Sequence, residues 1–233
     1  MSLVEIKNLS KIYKSGHNEI VANSDISFDI DKNTFTVIVG PSGAGKSTLL
    51  NILGGMDTPT SGSIIVDGND ITKYNEKDLT TYRRNDVGFV FQNYNLVPNL
   101  TAIENVELAN ELSSNPLSAK EVLTNVGLKD RLNNFPSQLS GGEQQRTAIA
   151  RAIAKNPKII LADEPTGALD YQTGKNILKL LRNTIKEFGT TVVVITHNKA
   201  ITPMADKVIE INDTRVRNII VNENPISIDE IEW

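Results

Sequence analysis

Phe35-Thr36-Val37-Ile38-Val39-Gly40-Pro41-Ser42-Gly43-Ala44-Gly45-Lys46-Ser47-Thr48 decides the fold. Its first five residues are a nearly unbroken apolar run, the pattern of a strand covered on both faces. The glycines that follow let successive backbone N–H groups converge on an anion. A helical pattern over 47–54 adds the favourable potential of a helix N-terminus at the same point. In that setting Lys46 is placed to neutralise β- and γ-phosphates, and the Ser47 hydroxyl to reach Mg²⁺. The residues Gly40, Pro41, Ser42, Gly43, Ala44, Gly45, Lys46, Ser47 and Thr48 therefore read as a phosphate-binding loop.

Outward from this loop, residues 87–91, 159–162 and 192–195 repeat the unbroken apolar pattern, which implies a parallel sheet covered on both sides. Helical periodicity over 143–155 and 173–188, the latter with Ile177, Leu178, Leu181 and Ile185, alternates with those runs and gives an α/β core. Residues 4–6, 26–30 and 64–66 instead alternate apolar with polar, as antiparallel strands with one wet face do. The stretch 93–138 breaks the α/β alternation with two helical segments, 102–112 and 118–126. The second is opened by a capping-box pattern at Ser118 and Glu121. We expect one domain over 1–233, with a helical lobe inserted at about 93–138 and a polar, acidic extension over about 213–233. The tail from Pro225 to Trp233 has two readings, lying across a dimer or fraying.

Three more sites of chemistry stand at strand ends, the edge of an open α/β sheet where ligands bind. Asp163-Glu164 follows the run 159–162; Asp163 suits the Mg²⁺ shell and Glu164 the attacking water, a general-base role contributing about 10²–10⁴-fold. Gln92 ends a second run and is placed for Mg²⁺ or water, and His197 ends a third, placed to donate to the γ-phosphate. Leu139-Ser140-Gly141-Gly142-Glu143-Gln144-Gln145-Arg146 then supplies a hydroxyl and glycine N–H groups at another helix start, a second anion site. One nucleotide has no evident use for both within one chain. Reciprocal use by two copies gives a two-fold dimer.

These residues resemble the signature motif of ABC ATPases, and the resemblance covers nearly the whole chain. It is similar above all to the separate ATPase subunits of MacB- and LolD-like transporters, which include macrolide-efflux, peptide-antibiotic and lipoprotein-extracting systems. The stretches that carry this are Met56-Asp57-Thr58-Pro59-Thr60-Ser61-Gly62, Val90-Phe91-Gln92-Asn93-Tyr94-Asn95-Leu96 and Thr196-His197-Asn198. The resemblance implies a P-loop NTPase core of RecA-like α/β type with a mostly parallel sheet, an N-terminal antiparallel β subdomain and a small helical subdomain. It implies a homodimer holding two ATP, with Mg²⁺, each between the phosphate loop of one copy and Ser140, Gly141 and Gly142 of the other. By the same resemblance Tyr13 stacks on adenine and Asp170 matches the loop that couples the two sites. Glu143 departs from the family's usual glutamine. The partner implied is a transmembrane permease; Tyr94, Leu96, Val97 and Leu100 either line the groove that receives it or belong to the lobe core. An extracytoplasmic adaptor is a further candidate partner.

Composition narrows the classes. A net charge of −4 gives no basic field for nucleic acid, and the absence of cysteine suits a reducing compartment. No apolar run reaches the roughly 18–20 residues needed to cross a bilayer, and residues 1–14 lack an export signal's apolar segment. The expected location is cytoplasmic, on the inner face of the membrane through the permease. Two alternatives stand beside this one. An importer ATPase shares these residues, since direction and cargo reside in the permease. A nucleic-acid-associated relative normally splits the same motifs around a long coiled coil.

Overall fold

The computed structural model describes residues 1–16 and 18–232. Strands β1 (Ser2–Ser15), β2 (Asn18–Asp31) and β3 (Phe35–Val39) lead into α1 (Lys46–Leu53), followed by β4 (Ser61–Val66), β5 (Asn69–Asp70) and α2 (Glu76–Asn85). Next come β6 (Val87–Val90), α3 (Ala102–Asn110), α4 (Ala119–Asn125), α5 (Gly141–Ala154), β7 (Ile159–Asp163) and α6 (Tyr171–Phe188). The chain closes with β8 (Thr191–Thr196), β9 (Lys207–Asn212) and β10 (Arg215–Val221). It forms two compact units, Met1–Arg83 with Val193–Trp233, and Arg84–Val192.

The first unit holds the antiparallel sheet in the order β2-β1-β4-β5. Its alternation is as the sequence reads: Ile26, Phe28 and Ile30 are buried while Ser27 and Asp29 are exposed, so one face packs and the other is wet. The strands run far longer than the short alternating segments, because register shifts between Ile6 and Leu9 and again towards Ile12 let the pairing continue past the breaks in pattern. The same unit carries the strand order β10-β9-β3-β8, with β3 parallel to β9 and fully buried along its length. Helix α1 buries Leu49, Leu50, Ile52 and Leu53.

Two features of this unit were not foreseen. Helix α2 is strongly polar and buries only Leu79 and Tyr82, leaving little periodic signal; the Tyr82 hydroxyl donates to the Leu53 carbonyl at 2.8 Å. Beyond Asn212 the expected extension is instead paired structure: β10 runs antiparallel to β9, and Ile228 and Ile231 are buried. Strand β10 is exposed along nearly its whole length, so Ile219, Ile220 and Val221 give no alternation with a buried face to announce it. Trp233, the end of the predicted tail, lies outside the described residues.

The second unit carries the order β8-β7-β6, with β6 parallel to β7; β8 is the strand on which the division between the units falls. Helix α5 is its central element, packing against α3, α4, α6 and β6. It does so through Ala148, Ile149, Ala150, Ala152 and Ile153, small and medium side chains that allow close approach. The helices of the 93–138 stretch form as read. Ser118 caps α4 by accepting from the Glu121 N–H, while the reciprocal box forms at α3 between Thr101 and Glu104. Among the described residues no helix is long and apolar enough to cross a membrane.

Candidate functional site

In the first unit the phosphate loop connects β3 to α1. Its start is tied to β8 by the Gly40 N–H, which donates to the Thr196 carbonyl at 3.4 Å, immediately before the exposed His197. Gly45 sits at φ +91°, and a Cβ there would lie 2.0 Å from the Ala22 carbonyl oxygen, so only glycine permits this turn against β2. Asn23, fully buried on β2, donates from its amide to the Gly45 carbonyl at 3.2 Å. The first turn of α1 has no side-chain cap. Lys46 folds back over the loop, donating to the carbonyls of Gly40 at 2.8 Å and Pro41 at 2.9 Å. An uncapped helix start beside an ammonium suits a polyphosphate. Ser42, Gly43 and Ser47 are exposed at this loop, and Ala44 anchors it in the core. Tyr13 on β1 is 40% exposed, and its phenol meets Asp57 and the Thr48 side chain.

In the second unit β7 ends at Asp163, and Glu164 follows with φ +45°, a left-handed conformation that costs a non-glycine residue of order 1–3 kcal/mol. The turn is closed by the Gly167 N–H donating to the Glu164 carbonyl at 3.0 Å. The Gln92 amide nitrogen stands 3.3 Å from where a Gly167 Cβ would be, so Gln92 lies over the turn that carries Glu164. Gln145, fully buried on α5, donates to the Pro165 carbonyl at 2.9 Å and braces the same turn. Asn23 and Gln145 were missed by sequence reasoning; each is an amide at a buried position of a regular element, a local departure from apolar pattern that gives no hint of its partner.

The helix start at Ser140 is built differently from that of α1. The Ser140 hydroxyl accepts from the Glu143 N–H at 3.3 Å, and the Glu143 carboxylate accepts from the Ser140 N–H at 2.8 Å, a complete capping box. Glu143 also accepts from the Arg131 Nε at 2.9 Å. The Ser140 N–H first, and Arg131 with it, pull the Glu143 carboxyl down from an ordinary 4.5 to about 2. The glutamate that departs from the family's usual glutamine is thus an ionised, fixed cap whose charge is compensated by Arg131. Ser140 remains exposed, and its hydroxyl also bonds the Glu143 carboxylate. Tyr94 places its hydroxyl 3.1 Å from where a Gly141 Cβ would stand, and Gly142 faces Thr173 at 2.6 Å in the same sense. The start of α5 therefore packs against the start of α6, where Asp170 caps by accepting from the Thr173 N–H at 3.0 Å.

A cleft of about 270 Å³ in this unit is lined by Phe89, Phe91, Asn95, Ala109, Arg151, Ala152 and Lys155. Tyr94, Leu96, Val97 and Leu100 do not line it; the Phe89 and Phe91 rings, stacked at 5.5 Å, contribute the aromatic lining instead. Arg151 donates to the carbonyls of Tyr94 and Asn95, two residues held at φ +59° and +50°. Lys155 donates to the Val87 carbonyl at 2.7 Å, and burial, reinforced by the nearby Arg151 charge, lowers its pKa to about 8.

Comparison with known proteins places this geometry. Residues 23–167 match the family model described as ABC transporter. The chain is 43% identical to the ABC transporter ATP-binding protein MG065 homolog of Mycoplasma pneumoniae, across 99% of this chain but 50% of that protein. It is 44% identical to the macrolide export ATP-binding/permease protein MacB of Aggregatibacter actinomycetemcomitans, across 92% of this chain and 34% of that protein. The chain thus spans half or less of the length of these two relatives. Among solved structures, a dimeric post-hydrolysis state of the ATP-binding cassette MJ0796, bound to ADP and Pi, superposes with a TM-score of 0.86. That match is at 42% identity and covers 95% of this chain and 99% of the other.

Proposed function

This chain belongs to the ABC transporter family as an ATP-binding, ATP-hydrolysing cassette, and on that premise we propose that two copies close around two ATP and drive a membrane permease. The observation that carries this reading is the pair of dissimilar helix starts, one uncapped beside Lys46 and one fully capped behind an exposed Ser140. The first suits tight binding of a polyphosphate; the second suits a preformed contact offered to a phosphate held elsewhere. The MJ0796 cassette, dimeric with ADP and Pi, supports the same arrangement.

The residues divide the work by their chemistry. Gly40 to Thr48 wrap the triphosphate with backbone N–H groups, and Lys46 exchanges its two carbonyl contacts for the β- and γ-phosphates. Ser47, Gln92 and Asp163 would hold Mg²⁺ through their side-chain oxygens. When bound, Mg²⁺ neutralises charge between the β- and γ-phosphates. Glu164, in its strained turn, takes the proton of the attacking water, Gln92 helps to orient that water, and His197 donates to the γ-phosphate. Ser140, Gly141 and Gly142 contact the γ-phosphate bound by the second copy, while Asp170 at the adjoining helix start couples the two sites. Tyr13 stacks on adenine.

The whole chain acts as one cassette, and its aromatic cleft with Arg151 and Lys155 receives an amphipathic cytosolic segment of the permease that carries a carboxylate. This holds the ATPase on the inner face of the membrane. Likeness to MacB supports export or extracytoplasmic work on antibiotics, peptides or lipids. Glu164→Gln is the test: ATP binding is retained, turnover falls by about 10²–10⁴-fold, and a dimer accumulates with ATP on size exclusion. Adding Ser140→Ala should return the population to monomer. A dimer that persists in the double variant would remove Ser140 from the interface.

A further inference from the structure

The stretch 56–62 marks the chain's subgroup but has no part in the phosphate chemistry. In the structure it is sewn to β1. The Thr60 N–H donates to the Ser10 carbonyl at 2.8 Å, and the Thr60 hydroxyl oxygen accepts from the Ile12 N–H at 3.0 Å. This brings Asp57 to Tyr13, whose hydroxyl donates to Asp57 Oδ2 at 2.7 Å. Lys11 completes the cluster. Its ammonium donates to Asp57 Oδ1 at 2.6 Å and to the Thr58 carbonyl at 2.7 Å, and it stands 4.7 Å from the centroid of the Tyr13 ring. The Lys11 side chain is only 12% exposed and that of Asp57 26%, so this charge pair is largely shielded from solvent. Thr48, on the first turn of α1, meets the same phenol.

We propose that Lys11 and Asp57 are positioning residues that fix the Tyr13 ring as the platform for the adenine base. The inference rests on the reading that Tyr13 stacks on adenine. An unrestrained tyrosine on an exposed strand must be ordered when the base arrives, and that ordering weakens binding. Here the phenol is held by a carboxylate, and a cation over the ring, itself anchored by two oxygens, orients its plane. One ring face is thereby given to Lys11, and on this reading the base takes the other. Ile20, directly opposite Tyr13 in the β1–β2 register, is 59% exposed and extends the apolar surface beside it. Through Thr48 the phenol also touches the helix that begins at the phosphate loop.

Equilibrium binding of Mg-ATP and of inorganic tripolyphosphate, which has no base, tests this on the full chain. Tyr13→Ala is expected to weaken ATP binding about tenfold through loss of stacking. Tyr13→Phe and Asp57→Asn should each weaken it about three- to fivefold, the double variant no more than the stronger single one, and tripolyphosphate binding should not change. Lys11→Met and Tyr13→Phe test the same cluster if Asp57→Asn folds poorly. Unchanged ATP affinity in Tyr13→Ala would sink the stacking reading and this inference together. A weakened Tyr13→Ala beside unaffected Asp57→Asn and Tyr13→Phe would leave stacking standing and overturn the positioning role. So would additive losses in the double variant, or an equal loss of tripolyphosphate binding.

Discussion

Helix α1 begins after Gly45 with no side chain capping its first turn, whereas α5 begins after Ser140 with both halves of a capping box in place. The first arrangement leaves backbone donors without a side-chain cap and puts Lys46 beside them, so on the proposed reading its own unsatisfied groups create the affinity. The second satisfies its donors internally through Glu143, whose charge is in turn taken up by Arg131. That helix start needs no ligand to be stable. Its exposed Ser140 is a preformed surface that, on the proposed reading, makes a modest contact when a phosphate is brought to it. The proposed dimer, in which one copy binds nucleotide and another closes over it, requires this division: tight binding at one start, readiness at the other.

Lys46→Ala is the most severe way to break the comparison. Equilibrium titration of the monomer should show ATP affinity falling on the order of a hundredfold, since a charge-assisted phosphate contact is lost. Ser140→Ala should leave monomer affinity within about twofold while lowering steady-state ATPase activity by about tenfold or more. A comparable loss of monomer affinity in both variants would end the distinction. Glu143→Ala, which removes half of the α5 cap, should cost about 1 kcal/mol and lower the melting temperature by about 2–4 °C. Glu143→Gln keeps an acceptor for the Ser140 N–H and should cost only a few tenths of a kcal/mol, the worth of the partly exposed pair with Arg131.

The smallest effect is in pH. The Ser140 N–H and Arg131 depress the Glu143 carboxyl from 4.5 to about 2, so its stabilising contribution is complete above about pH 4.5 and is lost as pH falls towards about 2. Melting curves across that range should converge for the native chain and Glu143→Gln at the acid end. A constant gap between them would mean that the carboxylate's charge contributes nothing.

The phosphate loop was legible because everything that makes it is consecutive: an apolar run, glycines at fixed offsets, then Lys46 and Ser47. The helix start at Ser140 was legible in the same way, but its capping box was not read, although Glu143 lies three residues on. The braces were not legible. Tyr13 meets Asp57 across 44 positions, and Gln145 reaches Pro165 across 20. The sequence left Tyr94, Leu96, Val97 and Leu100 with two readings, groove lining or lobe core. The cleft that the structure shows is lined from β6, the turn that follows, α3 and α5, because a cleft is made where separate elements fail to fill space. Helix α2 and strand β10 escaped because each is mostly solvent-exposed and carries little periodic signal.

The sequence by itself determined the α/β class, the family and the place of both glycine-rich helix starts, since short-range spacing sets where a helix begins. Only the tertiary structure decided that Tyr13 is held by Asp57 and Lys11, that Glu164 sits in a strained turn braced by Gln145, and that the terminal segment is paired rather than free. Those contacts join residues far apart in the chain, and their partners are chosen by how whole elements pack, which no local pattern of residues encodes.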